Sequence, residues 1–216
     1  MMGIKGAIFD ADGTLLDSMQ VWASIGLDFL KNLGLPPERE LIEVLNSRSG
    51  KDASKYLQDE YGISRAAIEA EDWRTKMPLE RYLEEAVLKP GVIDVLETMR
   101  LRGIGMCVAT ATDRNLVEPV LRKCGILGFF GRVYTCGEER VNKRSPEIFV
   151  RAAEFLGYGV RDTLVVEDSL HAIRAAKGAG FPVAAVFDLS AADQRGEIEA
   201  LCDYYFMSPL EMLEML

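Results

Sequence analysis

The 216-residue sequence has few of the residues that form disulfides or bind transition metals. It contains one histidine and four cysteines. No Cys-x-x-Cys pair occurs, because the cysteines are widely spaced at Cys107, Cys124, Cys136 and Cys202. This spacing indicates neither a zinc site nor a disulfide framework. Reduced thiols are typical of cytoplasmic proteins, so we expect a cytoplasmic location.

The sequence also lacks long apolar runs, an excess of positive charge and a dinucleotide-binding motif. No apolar run approaches the roughly 20 residues that a transmembrane helix needs. The net charge of −9 argues against binding to nucleic acid or an anionic membrane, both of which need a basic surface. No G-x-G-x-x-G follows the first predicted strand, which disfavours a dinucleotide enzyme. We therefore expect a soluble protein without a nucleic-acid or membrane partner.

What the chain does contain is a series of short apolar runs that alternate with helical patterns. Five runs are predicted to be strands: Lys5–Phe9, Ile104–Ala109, Arg132–Thr135, Thr163–Val166 and Val183–Phe187. Strands that are apolar throughout and separated by helices are typical of a parallel sheet covered on both faces. The prediction is a doubly wound, Rossmann-like α/β fold. In the helix before the fourth strand, Ser145 is predicted as the N-cap and Pro146 as the first residue.

One long segment interrupts this alternation. From about residue 18 to residue 88 the sequence shows helical periodicity and no convincing strand. A connection of this length is far longer than an ordinary crossover between two strands. We interpret residues 17–88 as an inserted helical domain and residues 1–16 and 89–216 as the α/β core. The hinges are predicted at Leu15–Ser18 and Lys89–Gly91.

Polar residues follow four of the predicted strands directly or within a short loop. They are the segment Asp10-Ala-Asp12-Gly-Thr14, then Thr110, then Lys143, and finally Glu167 with Asp168. The carboxyl ends of parallel strands lie at one edge of the sheet, where ligands bind. These residues are therefore predicted to converge, although they span nearly 160 positions.

The residue types at this edge favour phosphoryl transfer. Several carboxylates repel one another unless a cation lies among them, and oxygen ligands suit Mg²⁺. An aspartate can accept a phosphoryl group, while Thr110 and Lys143 can hold its oxygens. Gly13 permits close backbone approach. Asp12 can protonate the leaving oxygen and later deprotonate water. We predict a Mg²⁺-dependent phosphatase that forms a phospho-aspartate on Asp10.

These motifs resemble those of the haloacid dehalogenase superfamily, in the same order along the chain. The segments are FDADGTLLD, VATATD with Thr110, NKRSPEIF with Lys143, and VVEDSLHAIRAAKGAG with Glu167 and Asp168. The resemblance implies that the helical insert is the family's small α cap. It also implies that Asp10 is the nucleophile and Asp12 the acid/base. Mg²⁺ would be held by Asp10, the Asp12 backbone carbonyl and Asp168, with Glu167 as a ligand or a neighbour of the ligands.

The resemblance also suggests substrate contacts. They are Gly13, Thr14, Ala111, Arg144 and, in the cap, Lys51 with its neighbour Arg48. Arg144 departs from the family pattern Lys-Pro-x-Pro and places an extra cation beside Lys143. Members that act on carbon–halogen bonds or phosphonates typically lack the second aspartate, so Asp12 favours phosphate esters.

Hydrolysis of a small phosphorylated metabolite is the leading prediction, and two alternatives use similar residues. A β-phosphoglucomutase-like phosphomutase shares every core motif but needs polar cap groups where this chain has Met19 and Trp22. A phospho-acceptor signalling domain also uses Asp, Thr, Lys and Mg²⁺. Such domains place the acceptor after the third strand and lack an inserted cap, which disfavours this alternative.

Overall fold

The computed structural model describes residues 3–36, 38–46, 50–71 and 76–216. The chain divides into two compact units, one formed by Met1–Met19 with Val87–Leu216 and the other by Gln20–Ala86. No helix within the described ranges is long and apolar enough to cross a membrane.

The first unit is built on a six-stranded sheet in which every neighbouring pair of strands is parallel. The strands of the described chain are β1 Gly6–Phe9, β2 Leu16–Asp17, β3 Val87–Leu88, β4 Gly105–Thr110, β5 Arg132–Thr135, β6 Thr163–Glu167, β7 Val183–Val186 and β8 Tyr204–Phe206. The order across the sheet is β5-β4-β1-β6-β7-β8. The central strands β1 and β6 are buried along their whole length. The predicted doubly wound α/β fold is confirmed.

Helices cover this sheet and make up the second unit. Those of the first unit are α6 Val92–Leu101, α7 Arg114–Lys123, α8 Cys136–Glu139, α9 Glu147–Leu156, α10 Leu170–Gly178 and α11 Arg195–Leu201. Those of the second unit are α1 Met19–Asn32, which begins at the boundary, α2 Arg39–Asn46, α3 Gly50–Tyr61, α4 Arg65–Glu71 and α5 Lys76–Glu85. Of the six strands in the parallel sheet, β8 was the one not predicted, because its three residues lie at the sheet edge and none is fully buried.

The second unit has a core of its own. Ile25, Phe29 and Leu30 of α1 are fully buried and belong to one apolar cluster with residues of α2, α3 and α4. Trp22 packs against Tyr82, with ring centroids 5.1 Å apart. The apolar stripe of α1 is therefore used for packing within this unit.

A two-residue antiparallel ladder lies where the chain leaves and re-enters the first unit. Leu16 pairs with Leu88 and Asp17 pairs with Val87. This ladder corrects the expectation that residues 18–88 contain no strand. The first predicted boundary, after residue 16, lies three residues before the observed division after Met19. The second, before residue 89, lies two residues beyond the observed division before Val87. The ladder accounts for the difference, because it joins these segments to the core.

Helix α9 begins differently from the prediction. Pro146, not Ser145, occupies the N-cap, and its side chain makes no capping hydrogen bond. The Ser145 hydroxyl instead donates to the Asn142 carbonyl at 3.4 Å, within the preceding loop. Ser145 therefore stabilises the loop that carries Lys143 and leaves the helix end without a serine cap.

The topology places a ligand site between β1 and β6. The chain leaves β1 toward β4 on one side of the sheet and leaves β6 toward β7 on the other. Ligands bind at such a switch point, outside the carboxyl ends of the strands. Asp10 follows β1 and Asp168 follows β6, so both lie at this position.

Two glycines with similar positive φ angles allow a matched test of close packing. Gly91 has φ +84°, and a Cβ there would lie 2.5 Å from the Leu210 Cα; Gly103 has φ +71° and no atom within 4 Å of a Cβ. We expect Gly103→Ala to lower the free energy of unfolding by about 1 kcal/mol, the cost of left-handed backbone alone. Gly91→Ala should cost about 3 kcal/mol or more, because backbone must also move. Denaturant unfolding measures both, and equal losses would contradict the packing argument.

Candidate active site

A buried lysine joins two carboxylates at the switch point. The Lys143 ammonium donates one hydrogen bond to Asp10 Oδ1 and another, of 2.6 Å, to Glu167 Oε1. The side chains are 5%, 8% and 0% exposed, respectively. Charge-assisted bonds in so dry an environment are strong and hold their partners in place. Three residues from different parts of the sequence therefore form one rigid cluster.

Asp168 lies beside this cluster and against the loop that follows β1. Its Oδ1 accepts a hydrogen bond from the Thr14 hydroxyl at 3.2 Å. Gly13 has φ +85°, and a Cβ at this position would lie 2.4 Å from Asp168 Oδ2. Only glycine fits here, because the position requires both a left-handed backbone and an empty space facing the carboxylate. Gly13 and Thr14 thus shape the surroundings of Asp168.

Glu167 uses its second oxygen to organise the start of α10. Oε2 accepts hydrogen bonds from the backbone N–H groups of Asp168 and Ser169, both at 3.0 Å, and from the Ser169 hydroxyl at 2.9 Å. A carboxylate that receives N–H donors at a helix start is also favoured by the helix dipole. Glu167 therefore positions Lys143 with one oxygen and the Asp168 backbone with the other.

The crowding of carboxylates shifts the pKa values of this cluster. Burial, with the nearby charges of Glu167 and Asp12, raises the pKa of Asp10 to about 7, although Lys143 opposes the shift. Burial and the charges of Glu167, Asp10 and Asp188 raise the pKa of Asp168 well above its usual range. Burial alone would raise the pKa of Glu167, but the charge and hydrogen bond of Lys143 lower it. Lys143 stays protonated, because Asp10 and Glu167 together outweigh the effect of burial and raise its pKa.

Asp12 is held by two hydroxyl groups. Its Oδ1 accepts a hydrogen bond from Ser18 at 2.6 Å, and its Oδ2 accepts one from Thr112 at 2.7 Å. Hydroxyls can also accept hydrogen bonds, so the same contacts can serve either protonation state of Asp12. Sequence reasoning missed both residues. Thr112 lies inside the second motif and Ser18 is the residue directly after the first, so the motifs pointed to the neighbourhood of both.

The remaining predicted site residues differ in their placement. Thr110 is buried, and its hydroxyl accepts a 3.0 Å hydrogen bond from the Thr112 backbone. Ala111 is exposed in the loop after β4, and Arg144 is exposed beside Lys143. In the second unit, Lys51 lies in α3 with its side chain outside the described part of the structure, and Arg48 is outside it altogether.

A further polar pair at this edge was also missed. Lys89 and Asp188 lie 2.9 Å apart, with 8% and 6% of their side chains exposed. Asp188 follows the fifth predicted strand, so the rule that found the other polar residues could have found it. No pattern pointed to Lys89 beyond its place at the predicted hinge.

Comparison with known proteins assigns the fold and site to a family. A sequence profile described as haloacid dehalogenase-like hydrolase matches residues 4–180, which is most of the chain. The chain belongs to this family. It is therefore a hydrolase, and the resemblance of the four motifs is confirmed.

Relatives with names lie within the same family. Protein CbbY of Cereibacter sphaeroides is 30% identical over 196 residues, which cover 82% of this chain and 81% of that protein. Phosphoglycolate phosphatase of Nitrosospira multiformis is 30% identical over 185 residues, covering 82% and 80%. Among solved structures, CbbY of Rhodobacter sphaeroides in complex with phosphate is 26% identical with a TM-score of 0.77, covering 97% and 96%.

The buried carboxylates at the switch point form a cluster that fits a divalent cation. Asp10, Glu167 and Asp168 are buried, and one carboxylate oxygen from each lies within 4.8 Å of the others. Within the described ranges, four carboxylates and two ammonium groups are buried, and their net charge is −2 when all are ionised. They belong to Asp10, Glu167, Asp168, Asp188, Lys89 and Lys143. Hard oxygen donors with this charge are what Mg²⁺ requires. Burial, followed by repulsion among the carboxylates, raises the pKa values of Asp10 and Asp168, and a bound cation would offset both effects.

The raised pKa of Asp10 predicts how metal binding depends on pH. In the metal-free protein Asp10 has a pKa of about 7, against about 4 when unfolded. Protonated Asp10 therefore contributes to the free energy of unfolding below about pH 4, and this contribution is lost progressively as the pH rises from about 4 to about 7. Mg²⁺ should compete with this proton, so the increase in Tm that it causes should be larger at about pH 8 than at about pH 5.5.

Thermal unfolding with Mg²⁺ and with chelator, at both pH values, measures this effect. Asp10→Asn serves as the matched control, because it removes one of the two carboxyls with a raised pKa and should reduce the difference, while Asp168 retains part of it. An equal Mg²⁺-induced increase at both pH values in the wild-type protein would contradict the prediction.

Proposed function

We propose that the protein is a Mg²⁺-dependent phosphatase that hydrolyses a small phosphate monoester through a phospho-aspartate on Asp10. The observation that carries the proposal is the buried cluster in which Lys143 contacts Asp10 and Glu167, with Asp168 beside them. An aspartate placed against a fixed cation and a metal-binding set of carboxylates is suited to accept a phosphoryl group. Hydrolysis is preferred to a phosphomutase activity, because one relative at 30% identity is named a phosphatase and because Met19 and Trp22 stand where a phosphomutase would need polar cap groups.

In the first step a carboxylate oxygen of Asp10 attacks phosphorus. The bond from phosphorus to the ester oxygen breaks, and Asp12 donates its proton to that leaving oxygen. The products are an acyl phosphate on Asp10, the free alcohol and ionised Asp12. The hydrogen bonds from Ser18 and Thr112 then hold the new Asp12 carboxylate, one to each oxygen.

In the second step water attacks the phosphorus of the acyl phosphate. Asp12 removes a proton from this water, and the bond between phosphorus and the Asp10 oxygen breaks. Inorganic phosphate leaves, Asp10 is again a carboxylate and Asp12 is again protonated. Asp12 therefore serves as acid and then as base, and no net proton remains on the protein.

Fixed positive charge and hydrogen-bond donors support these steps. Asp10, Asp168, Glu167 and the Asp12 backbone carbonyl would hold Mg²⁺, which supplies charge stabilisation for the phosphoryl oxygens when bound. Lys143 can transfer a hydrogen bond from Asp10 to a phosphoryl oxygen, and this frees the nucleophile. Thr110, with Gly13, Thr14 and the exposed Ala111, can offer donors or space to the remaining oxygens.

The proposed substrate is a small phosphorylated metabolite. Relatives support this class: one is named phosphoglycolate phosphatase, and a CbbY variant was solved with xylulose-1,5-bisphosphate. Arg144 is exposed beside Lys143 and is proposed to contact the substrate. Lys51 and Arg48 of the second unit are proposed contacts as well, consistent with its expected role as a cap.

Replacing the nucleophile should abolish turnover while preserving the fold. We expect Asp10→Asn to lower kcat by about 1,000-fold or more, because an amide does not attack phosphorus. Asp94→Asn, an exposed change in α6, is the matched control and should retain the wild-type rate. Mass spectrometry of a quenched reaction should find the phosphoryl group on the Asp10 peptide of the wild-type protein only. A variant with near wild-type kcat would refute the assignment.

The role of Asp12 can be separated from that of Asp10 by the leaving group. Asp12→Asn should slow hydrolysis of an alkyl phosphate by about 100- to 10,000-fold, because the alkoxide needs a proton. With 4-nitrophenyl phosphate the first step needs no acid, but the second step still lacks its base. The variant should therefore release a burst of about one nitrophenol per active site and then turn over slowly.

Stopped-flow absorbance measures the burst, and Asp113→Asn, in the exposed part of the same loop as Thr112, is the control. Slow nitrophenol release without a burst would mean that Asp12 acts on the attack by Asp10 and not on the leaving group.

A further inference from the structure

A second buried ion pair lies at the same sheet edge, outside the motifs that carry the proposed chemistry. The Lys89 ammonium is 2.9 Å from Asp188 Oδ2 and donates a 2.6 Å hydrogen bond to the Phe187 carbonyl. Removing two charges from water is costly, and an apolar pair of similar shape is often at least as stable. Stability alone therefore does not account for these two charged residues, and their surroundings suggest a role.

Asp188 is placed beside Asp168 by the register of the sheet. Strands β6 and β7 are parallel neighbours, with Glu167 opposite Ala185, so the segments that follow them emerge side by side. Asp188 is fixed there, because its Oδ1 accepts hydrogen bonds from the Ser190 backbone at 2.9 Å and from the Ser190 hydroxyl at 2.7 Å. Its negative charge is consequently held at a defined position at the metal-binding edge.

Lys89 connects this position to the loop that carries Asp10. Its backbone N–H donates to the Leu15 carbonyl at 3.0 Å, directly after the β3 strand. Leu15 follows Thr14, whose hydroxyl donates to Asp168. Lys89 therefore hydrogen-bonds to the loop after β1 through its backbone and to the loop after β7 through its side chain.

We propose that Lys89 and Asp188 are positioning residues that act on the metal-binding carboxylates through their charges. The Lys89 ammonium balances the Asp188 charge beside Asp168, while the Lys89 backbone N–H, which side-chain substitution retains, holds the loop after β1. This inference rests on the proposed function, since it concerns the site that would hold Mg²⁺. Neither residue needs to touch the substrate, because both act through the charge environment of Asp168.

Opposite charges give opposite expected effects on metal binding. Lys89→Met leaves the Asp188 charge uncompensated beside Asp168, and an added negative charge should tighten Mg²⁺ binding. Asp188→Asn leaves the Lys89 charge uncompensated and should weaken it. Both shifts in Kd should be on the order of three- to tenfold. The double variant, with neither charge, should return close to the wild-type Kd. A purely structural pair would instead lose affinity in both single variants.

Titration calorimetry of the metal-free proteins with Mg²⁺ measures these Kd values, at a pH where both side chains are charged. The matched control is a lysine–aspartate pair at the other end of β7. Lys177 is 2.7 Å from Asp203, whose second oxygen accepts a 2.7 Å hydrogen bond from the Val183 backbone. Lys177→Met and Asp203→Asn should leave the Kd unchanged.

Shifts of opposite sign, with recovery in the double variant, support the proposal. Shifts of the same sign, or shifts no larger than those of the controls, overturn it. If Lys89→Met does not fold, the comparison between Asp188→Asn and the double variant decides, because the double variant must bind Mg²⁺ more tightly. Absence of Mg²⁺ binding in the wild-type protein would contradict the proposed function as well, whereas normal wild-type binding with shifts of the same sign would contradict this inference alone.

Discussion

Electrostatic repulsion among buried carboxylates is the constraint on which this candidate active site depends. All of the buried charged residues within the described ranges lie at the carboxyl edge of the sheet or in loops that reach it. Their carboxylates outnumber their ammonium groups, and burial deprives them of water. The protein holds this arrangement with Lys143 and Lys89, each fixed between a carboxylate and a second acceptor. The excess negative charge remains, and it favours binding of a divalent cation.

Backbone geometry makes this crowding possible. The loop after β1 turns sharply, with the N–H groups of Leu15 and Leu16 both donating to the Ala11 carbonyl. Gly13 lies at the centre of this turn and lets the backbone approach Asp168 more closely than any side chain would permit. The turn therefore brings the first and fourth motifs together without a direct ion pair between them. Burial of the apolar strands β1 and β6 supplies the free energy that offsets the cost of this close approach.

Much of this arrangement could be predicted from the sequence, because a parallel sheet converts chain order into position. Once the apolar runs are identified as strands, the residues that follow them must share one edge, and the structure does bring Asp10, Lys143, Glu167 and Asp168 together there. The catalytic roles of these residues stay proposals. The short strand β8 escaped prediction, because its residues are only partly covered and give no continuous apolar signal.

The hydroxyls on Asp12 and the Lys89–Asp188 pair depend on information that periodicity does not contain. Whether Ser18 faces Asp12 is decided by the tight turn and the β2–β3 ladder, not by its neighbours in sequence. Lys89 appears in sequence as an ordinary polar residue before a Pro-Gly turn, and its burial follows only from the position of the loop after β7. Long-range polar contacts of this kind are specified by strand register, which a single sequence leaves open.

The same contacts suggest how one edge can support two opposite chemical requirements. The proposed nucleophile, Asp10, must be ionised and close to a cation, whereas the proposed acid/base, Asp12, must exchange a proton with the leaving group and then with water. The buried Asp10 carboxylate accepts a hydrogen bond from the Lys143 ammonium, while the Asp12 carboxylate accepts hydrogen bonds from two neutral hydroxyls. A hydroxyl can donate a hydrogen bond to a carboxylate or accept one from a carboxylic acid. It therefore favours the ionised form of an aspartate less strongly than a lysine ammonium does. Two aspartates separated by one residue thus obtain different environments, because the chain turns between them and directs one side chain toward Lys143 and the other toward Ser18 and Thr112.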